Sequence, residues 1–164
     1  MIETILNRKS VRKYLDKEIE DEKVQTLLKA GMAAPSGKDI RPWELVVVTE
    51  RSVLSAMAEG LPYAKMLNEA PLAIVVCGDI EKSPYWYLDC SAVTQNILLA
   101  AEALGLGAVW TATYPYEERM QVAKEQLALP DKIFSLCVIP IGYPATPYKP
   151  REKFDPKKVH YNRW

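Results

Sequence analysis

Near the start of the chain, Arg8-Lys9-Ser10-Val11-Arg12-Lys13-Tyr14 puts four cations and a hydroxyl within seven residues. Guanidinium groups present planar forks of N–H donors that match phosphate oxygens, and Ser10 adds a further donor. Arg8, Ser10 and Arg12 alternate, so in an extended chain their side chains project to one face. That pattern suits a clamp for one phosphate monoester. Taken alone, the same run also reads as a solvated basic surface segment. His160 is the only histidine, which removes most histidine triads and common zinc sites. Cys77, Cys90 and Cys137 are far apart and read as reduced core residues, with no metal role. Asp89 and Glu102 could serve as general acids, but a buried ion pair or an exposed face fits them better. Any enzyme chemistry here must come from a cofactor or from carboxylates.

The 21 basic residues balance 21 acidic ones. A net charge near zero argues against a nucleic-acid or membrane-surface binder, which needs a sizeable positive field. The local cations must serve something smaller. A chain of 164 residues, 49% hydrophobic, suits one domain over 1–164. No signal pattern opens it and no apolar run reaches membrane-spanning length, so a cytoplasmic protein is expected.

Several elements must position these groups. Val24, Leu27, Leu28, Gly31 and Met32 recur at helical spacing after acidic Glu20–Glu22, predicting a helix over 21–33 that Pro35 follows. Residues 34–43 then form an ordered loop. Continuous apolar runs predict buried strands over 45–48 and 72–77. Further strands are expected over 106–111 and 133–141. Short helices are predicted over 52–59 and 62–68, and a longer one over 117–127. Residues 86–104 are apolar round most of a helix, the pattern of a central buried helix with Gly105 just past its end. Prolines exclude a helix over 143–156, yet Tyr148, Phe154, Val159, Tyr161 and Trp164 are large. An aromatic tail of this kind suits packing on a second copy of the chain, so 142–164 reads as an extension across a partner subunit.

Five motifs in order complete the pattern. They are Arg8-x-Ser10-x-Arg12-x-Tyr14; Ala34-Pro35-Ser36-Gly37 with Arg41-Pro42-Trp43; the helix with Gln95-Asn96; Gly105 to Trp110; and Ile141-Gly142-Tyr143-Pro144 with Lys149-x-Arg151. This ordered set resembles the nitroreductase family of flavoproteins. The resemblance implies an α+β fold with three α/β/α layers and a central mixed sheet. It also implies a homodimer with exchanged terminal segments and FMN at the interface. Arg8, Lys9, Ser10 and Arg12 would cradle the phosphate and the polar edge of the flavin, and Arg12 would tune the ring electrostatically. Lys149 and Arg151 would close on the phosphate. Pro35, Ser36 and Asp39 would come from the other subunit. Val109, Trp110, Thr111 and Ala112 would lie along the ring, with the Thr111 N–H near N5.

The activity implied is NAD(P)H-dependent reduction of a planar electron-poor acceptor (nitroaromatic, quinone or flavin) by alternating hydride transfer through N5. NADH or NADPH is the expected co-substrate, and no protein side chain does covalent chemistry. A flavin carrier or sensor, an oxygen-dependent enzyme acting on FMN itself, and a non-flavin phosphate-binding protein are the alternatives. Two positions depart from the family pattern, Asp39 for Asn and Arg41 for Gln. An ionised Asp only accepts hydrogen bonds, so Arg41 would either pair with it or supply the missing donor. Trp43 reads as a packing anchor and His160 as a tail contact. Tyr85, Trp86 and Tyr87 could line a pocket or a dimer contact.

Overall fold

The strand β2 (Leu72–Asp79) is buried along its whole length, and the computed structural model, which describes residues 1–164, is built outward from it. Its run of Ile, Val and Cys has no polar face, so both sides must be covered. β5 (Ile133–Gly142) pairs antiparallel with it, from Leu72 opposite Ile141 to Asp79 opposite Ile133. The register shifts at Val76/Cys77, where Leu136 is an extra residue on β5. β1 (Trp43–Val48) pairs with the other side of β2. Beyond β5 lie two short strands, β3 (Gly107–Ala108) and β4 (Thr111–Ala112).

Alternation along β2 separates two cores. Leu72, Ile74 and Val76 face α2 (Asp21–Met32) and α4 (Trp86–Ala103), meeting Leu27, Val93 and Ile97. Ala73, Val75 and Cys77 face α3 (Arg51–Gly60) and α5 (Glu117–Leu127), meeting Leu54, Met57 and Leu129. Each fully buried Ile or Leu contributes about 1.5–3 kcal/mol. The result is three layers, helices on both faces of one sheet. A six-residue helix, α1 (Ile2–Asn7), precedes them.

The expected helices fall close to their observed limits, and α5 matches residue for residue. Gly105, at φ +72°, turns the chain out of α4. Three expectations need correction. The 45–48 run is an edge strand, with Val47 exposed, because β1 has a neighbour on one side only. The single strand expected over 106–111 is divided, leaving Val109 and Trp110 between β3 and β4. Of 62–68, only Lys65–Asn68 is helical, as a 3₁₀ turn. The ladders are antiparallel throughout, and the mixed character of the sheet rests on one parallel bridge between Ser10 and Ala108.

After β5 only Pro156–Lys158 forms a regular turn. Phe154, Tyr161 and Trp164 are exposed, and His160 stacks on Trp164 with ring centres 4.3 Å apart. No helix is long and apolar enough to cross a membrane.

Candidate functional site

The basic segment is extended and docked against β3. Ser10 bridges Ala108, and the Val11 N–H donates to Ala108 O at 3.0 Å. Val11 is buried, so its neighbours Ser10 and Arg12 flank a fixed anchor. Gly107 makes that approach possible: a Cβ there would stand 2.5 Å from Val11 Cγ1. Tyr14 locks the other end. Its hydroxyl donates to Val11 O at 2.7 Å, with Pro140 O 3.1 Å away, and burial raises its pKa.

The C-terminal tail joins this segment through its backbone. Leu15 N–H donates to Tyr143 O at 2.9 Å and Ala145 N–H to Lys13 O at 3.0 Å. Gly142 lets Tyr14 lie flat against the end of β5, since a Cβ would meet its ring at 2.8 Å. The tail's cations are thereby carried to those of the N-terminal segment. Arg8, Lys9, Ser10, Arg12, Tyr148, Lys149, Arg151 and Lys153 line one cavity of about 400 Å³. Arg12 N–H donates to the Tyr148 hydroxyl at 3.3 Å, and Lys153 Nζ lies 3.4 Å from Arg8 O. Lys9 differs from the rest, because its ammonium is paired with Glu102 of α4 at 2.6 Å. That pair is the role expected for Glu102. Tyr148 and Lys153 extend the expected set.

Arg12 also opens onto a second cavity, of about 510 Å³, lined by Val109, Trp110, Thr111 and Ala112 with Pro62, Tyr63, Lys65, Met66 and Arg119. The backbone here corrects one expectation. Thr113 N–H donates to Leu136 O at 3.0 Å, and the register sets Thr111 opposite Val138. Antiparallel alternation therefore turns the Thr111 N–H into the sheet, toward Val138, and the Ala112 N–H outward. The Thr111 hydroxyl also donates to Val138 O, at 2.6 Å. The N–H that faces away from the sheet in this stretch is that of Ala112.

Pro35, Ser36 and Asp39 line neither cavity. Their loop is held against α4: Ser36 Oγ donates to Asp89 Oδ2 at 2.8 Å, and Gly37 N–H approaches Asp89 Oδ1 at 3.5 Å. Arg41 N–H donates in turn to Ser36 Oγ at 2.8 Å. Asp89 is thus neither ion-paired nor exposed, as the sequence suggested, but a buried acceptor for the loop. Lys38, Asp39 and Arg41 all have φ between 50° and 56°, each at a cost of roughly 1–2 kcal/mol for a side-chain-bearing residue. Arg41 grips both Asp39 oxygens, at 2.6 and 3.0 Å, which resolves its role toward pairing.

The aromatic triplet of α4 divides. Trp86 is buried, edge-on to Tyr114 and Phe134; Tyr87 stacks on Tyr114; Tyr85 is exposed. Trp43 packs in the core, as expected of an anchor. Burial pushes all three cysteine thiols up to about 12, so they are neutral and unreactive core groups. Arg119 is the site residue that sequence reasoning missed. A signal was there: a cation in the first turn of a helix opposes the macrodipole and calls for a reason.

The donor set fits a ligand with an anionic end and a planar body. Guanidinium and ammonium groups surround one cavity, and a backbone-lined slot with an indole adjoins it through Arg12.

The nitroreductase family profile matches residues 5–62 and 50–143. A Methanothermobacter thermautotrophicus protein with the provisional name NADH dehydrogenase/NAD(P)H nitroreductase is 44% identical over 167 residues, spanning 100% of this chain and 87% of its own. A crystal structure from Bacteroides thetaiotaomicron with the same provisional name superposes with a TM-score of 0.99 at 61% identity, over 99% of this chain and 97% of that one. An FMN-dependent nitroreductase from Clostridium difficile gives 0.96 at 36% identity, over 100% of both chains. With its three-layer fold and two cavities that share Arg12, this chain belongs to the nitroreductase family.

Proposed function

We propose that the protein is an FMN-dependent NAD(P)H oxidoreductase that reduces a planar electron-poor acceptor, a nitroaromatic, quinone or flavin, by alternating transfer. One observation carries this reading: cations from both ends of the chain surround one cavity, and Arg12 is shared between it and a second cavity of about 510 Å³ beside a strand edge. Arg8, Lys149 and Arg151 bind the phosphate as charge-assisted donors, with Lys9 steadied by Glu102. Arg12, between the two cavities, holds a positive charge at the polar edge of the ring. The Ala112 N–H faces the slot as a donor. When bound, FMN supplies reversible two-electron chemistry at ring N5 between a reduced nicotinamide and the acceptor. The chain's own residues bind, orient and set the local field, and none is assigned covalent chemistry.

A second copy of the chain completes the site with Pro35, Ser36 and Asp39. Two features support a homodimer. The loop 36–41 is rigidly built yet lies away from its own chain's cavities. Met1, Ile5, Ala33, Leu99, Ala100 and Ala103 also line an apolar groove between α1, α2 and α4, beside exposed Ile2, Leu6 and Met32. Of residues 142–164, the first part is docked on its own chain; the part from Phe154 on, with exposed Phe154, Tyr161 and Trp164, packs across that partner.

The test is spectroscopic. Purified protein should carry flavin absorbance that NADH or NADPH bleaches without oxygen, and an added nitroaromatic or quinone should restore it. Colourless protein that does not take up added FMN would overturn the reading. Bound FMN reduced at no useful rate in stopped flow would replace it with the carrier or sensor.

A further inference from the structure

We propose that Arg119 forms an oxyanion subsite in the ring slot, so that this chain favours ring substrates bearing a carboxylate or phosphate over their neutral counterparts. The inference rests on the slot being a redox site and names the class of substrate it takes.

The Arg119 side chain is 16% exposed and fixed from two sides. Its guanidinium carbon lies 3.8 Å from the centre of the Tyr116 ring and 5.2 Å from that of Tyr63. Such stacking holds a guanidinium flat and leaves its in-plane N–H groups to point elsewhere. Those donors are poorly used. Nε is buried without a hydrogen-bond partner, so a donor offered to the slot comes from the outer nitrogens. Nη1 reaches Ala112 O only at 3.5 Å. The nearest carboxylate, Glu118, is 3.9 Å from Nε, and its own side chain is 74% exposed. A cation withdrawn from water with unfilled donors is unfavourable unless an anion meets it.

The surroundings say which anion. Arg119 and Ala112 line the same cavity as Trp110, on the strand edge where a planar ring would lie. Lys65, the other cation of that cavity near Tyr63, is engaged with the carbonyls of Ala58 and Glu59 at 2.7 and 3.0 Å. Arg12 faces the basic cavity as well. Arg119 alone is a fixed cation with donors to give to a molecule in the slot. A guanidinium fork matches a carboxylate or phosphate, so the recognised group is an oxyanion attached to the ring substrate. It could belong to an acidic acceptor or to the 2′-phosphate of the nicotinamide coenzyme.

The test uses the oxidised, flavin-loaded protein and two probes of nearly equal shape, 4-nitrobenzoate and 4-nitrobenzamide, titrated by calorimetry. The acid should bind roughly tenfold or more tightly than the amide, the size of one charge-assisted contact. R119Q should collapse that gap and R119K should restore part of it, which a purely structural role for the stacked side chain would not produce. Steady-state KM values for NADPH and NADH in the same variants separate the two sources: a selective rise for NADPH in R119Q assigns the oxyanion to the coenzyme. Equal affinity for acid and amide in the wild type, with both coenzymes unaffected by R119Q, would overturn the subsite while leaving the flavin reading intact. A protein that neither coenzyme reduces would overturn both.

Discussion

Arg8 and Arg151 lie at opposite ends of the sequence and line one cavity, whereas Ser36 and Asp39, far closer to Arg12 along the chain, are kept away from it. The first set is assembled by backbone zippering: Val11 onto Ala108, Leu15 onto Tyr143, Ala145 onto Lys13. The second is assembled by side chains and strain, with Asp89 holding Ser36 and three residues at positive φ. One region is finished within a single copy. The other is finished in shape but lines neither cavity, and the proposed function assigns it to the site of a second copy.

The sharpest way to break the first region is Gly107→Ala. The new Cβ would stand 2.5 Å from Val11, so the basic segment must lift from β3. Overpacking of this kind costs roughly 1–3 kcal/mol, visible in urea unfolding. Displacing several phosphate ligands together should also lower FMN affinity by more than about a hundredfold, since a single such contact accounts for about tenfold or more. Arg8→Gln removes one cation without moving the chain. Fluorescence titration should show FMN binding weakened about 10- to 100-fold, with riboflavin, which lacks the phosphate, much less affected. If both flavins weaken equally, Arg8 does not face the phosphate.

The second region is tested by mixing. Asp89→Ala frees the Ser36 loop, and Arg8→Gln spoils the cavity. Refolded together, the two variants should form some dimers with one site free of both defects, so a fraction of sites should regain wild-type FMN affinity that neither variant shows alone. No recovery would mean that each copy builds its whole site by itself.

A smaller effect concerns how the tail leaves β5. Tyr143 donates to Glu20 at 2.5 Å, and Lys23 Nζ lies 2.6 Å from the Tyr143 oxygen. The Tyr143 hydrogen bond, first, and then Glu20's own backbone and Lys23 hold the Glu20 carboxyl down at about 2, from an ordinary 4.5. A folded value below the unfolded one stabilises the protein above pH 4.5, and that stabilisation is lost as pH falls toward 2. Glu20 is exposed, so its contribution is small. Melting temperatures of wild type and Glu20→Gln should differ slightly at neutral pH and converge by about pH 2.

How much of this was legible in the sequence follows from range. The alternation of Arg8, Ser10 and Arg12 is a two-residue pattern, and α5 is bounded by local signals, so both were readable. The family motifs supplied Lys149 and Arg151, which no local pattern links to Arg8. The direction of the Thr111 N–H was not readable, because it depends on the register of β4 against β5, where a slip of one residue reverses every group. Asp89 was misjudged for a related reason: its partner Ser36 lies 53 residues away. Arg119 was overlooked because its spare donors show only once Tyr116, Tyr63 and Ala112 are in place.

The interruption at Val109 and Trp110 has a consequence for association. An edge of two-residue strands, half-capped by the Ser10–Val11 segment, offers no continuous ladder for a foreign strand to extend. The only edge long enough for strand addition is the opposite one, β1. The flank where a flavin would lie is protected from fibre-like stacking by that break, and the Ala112 N–H beside it stays free for a ligand.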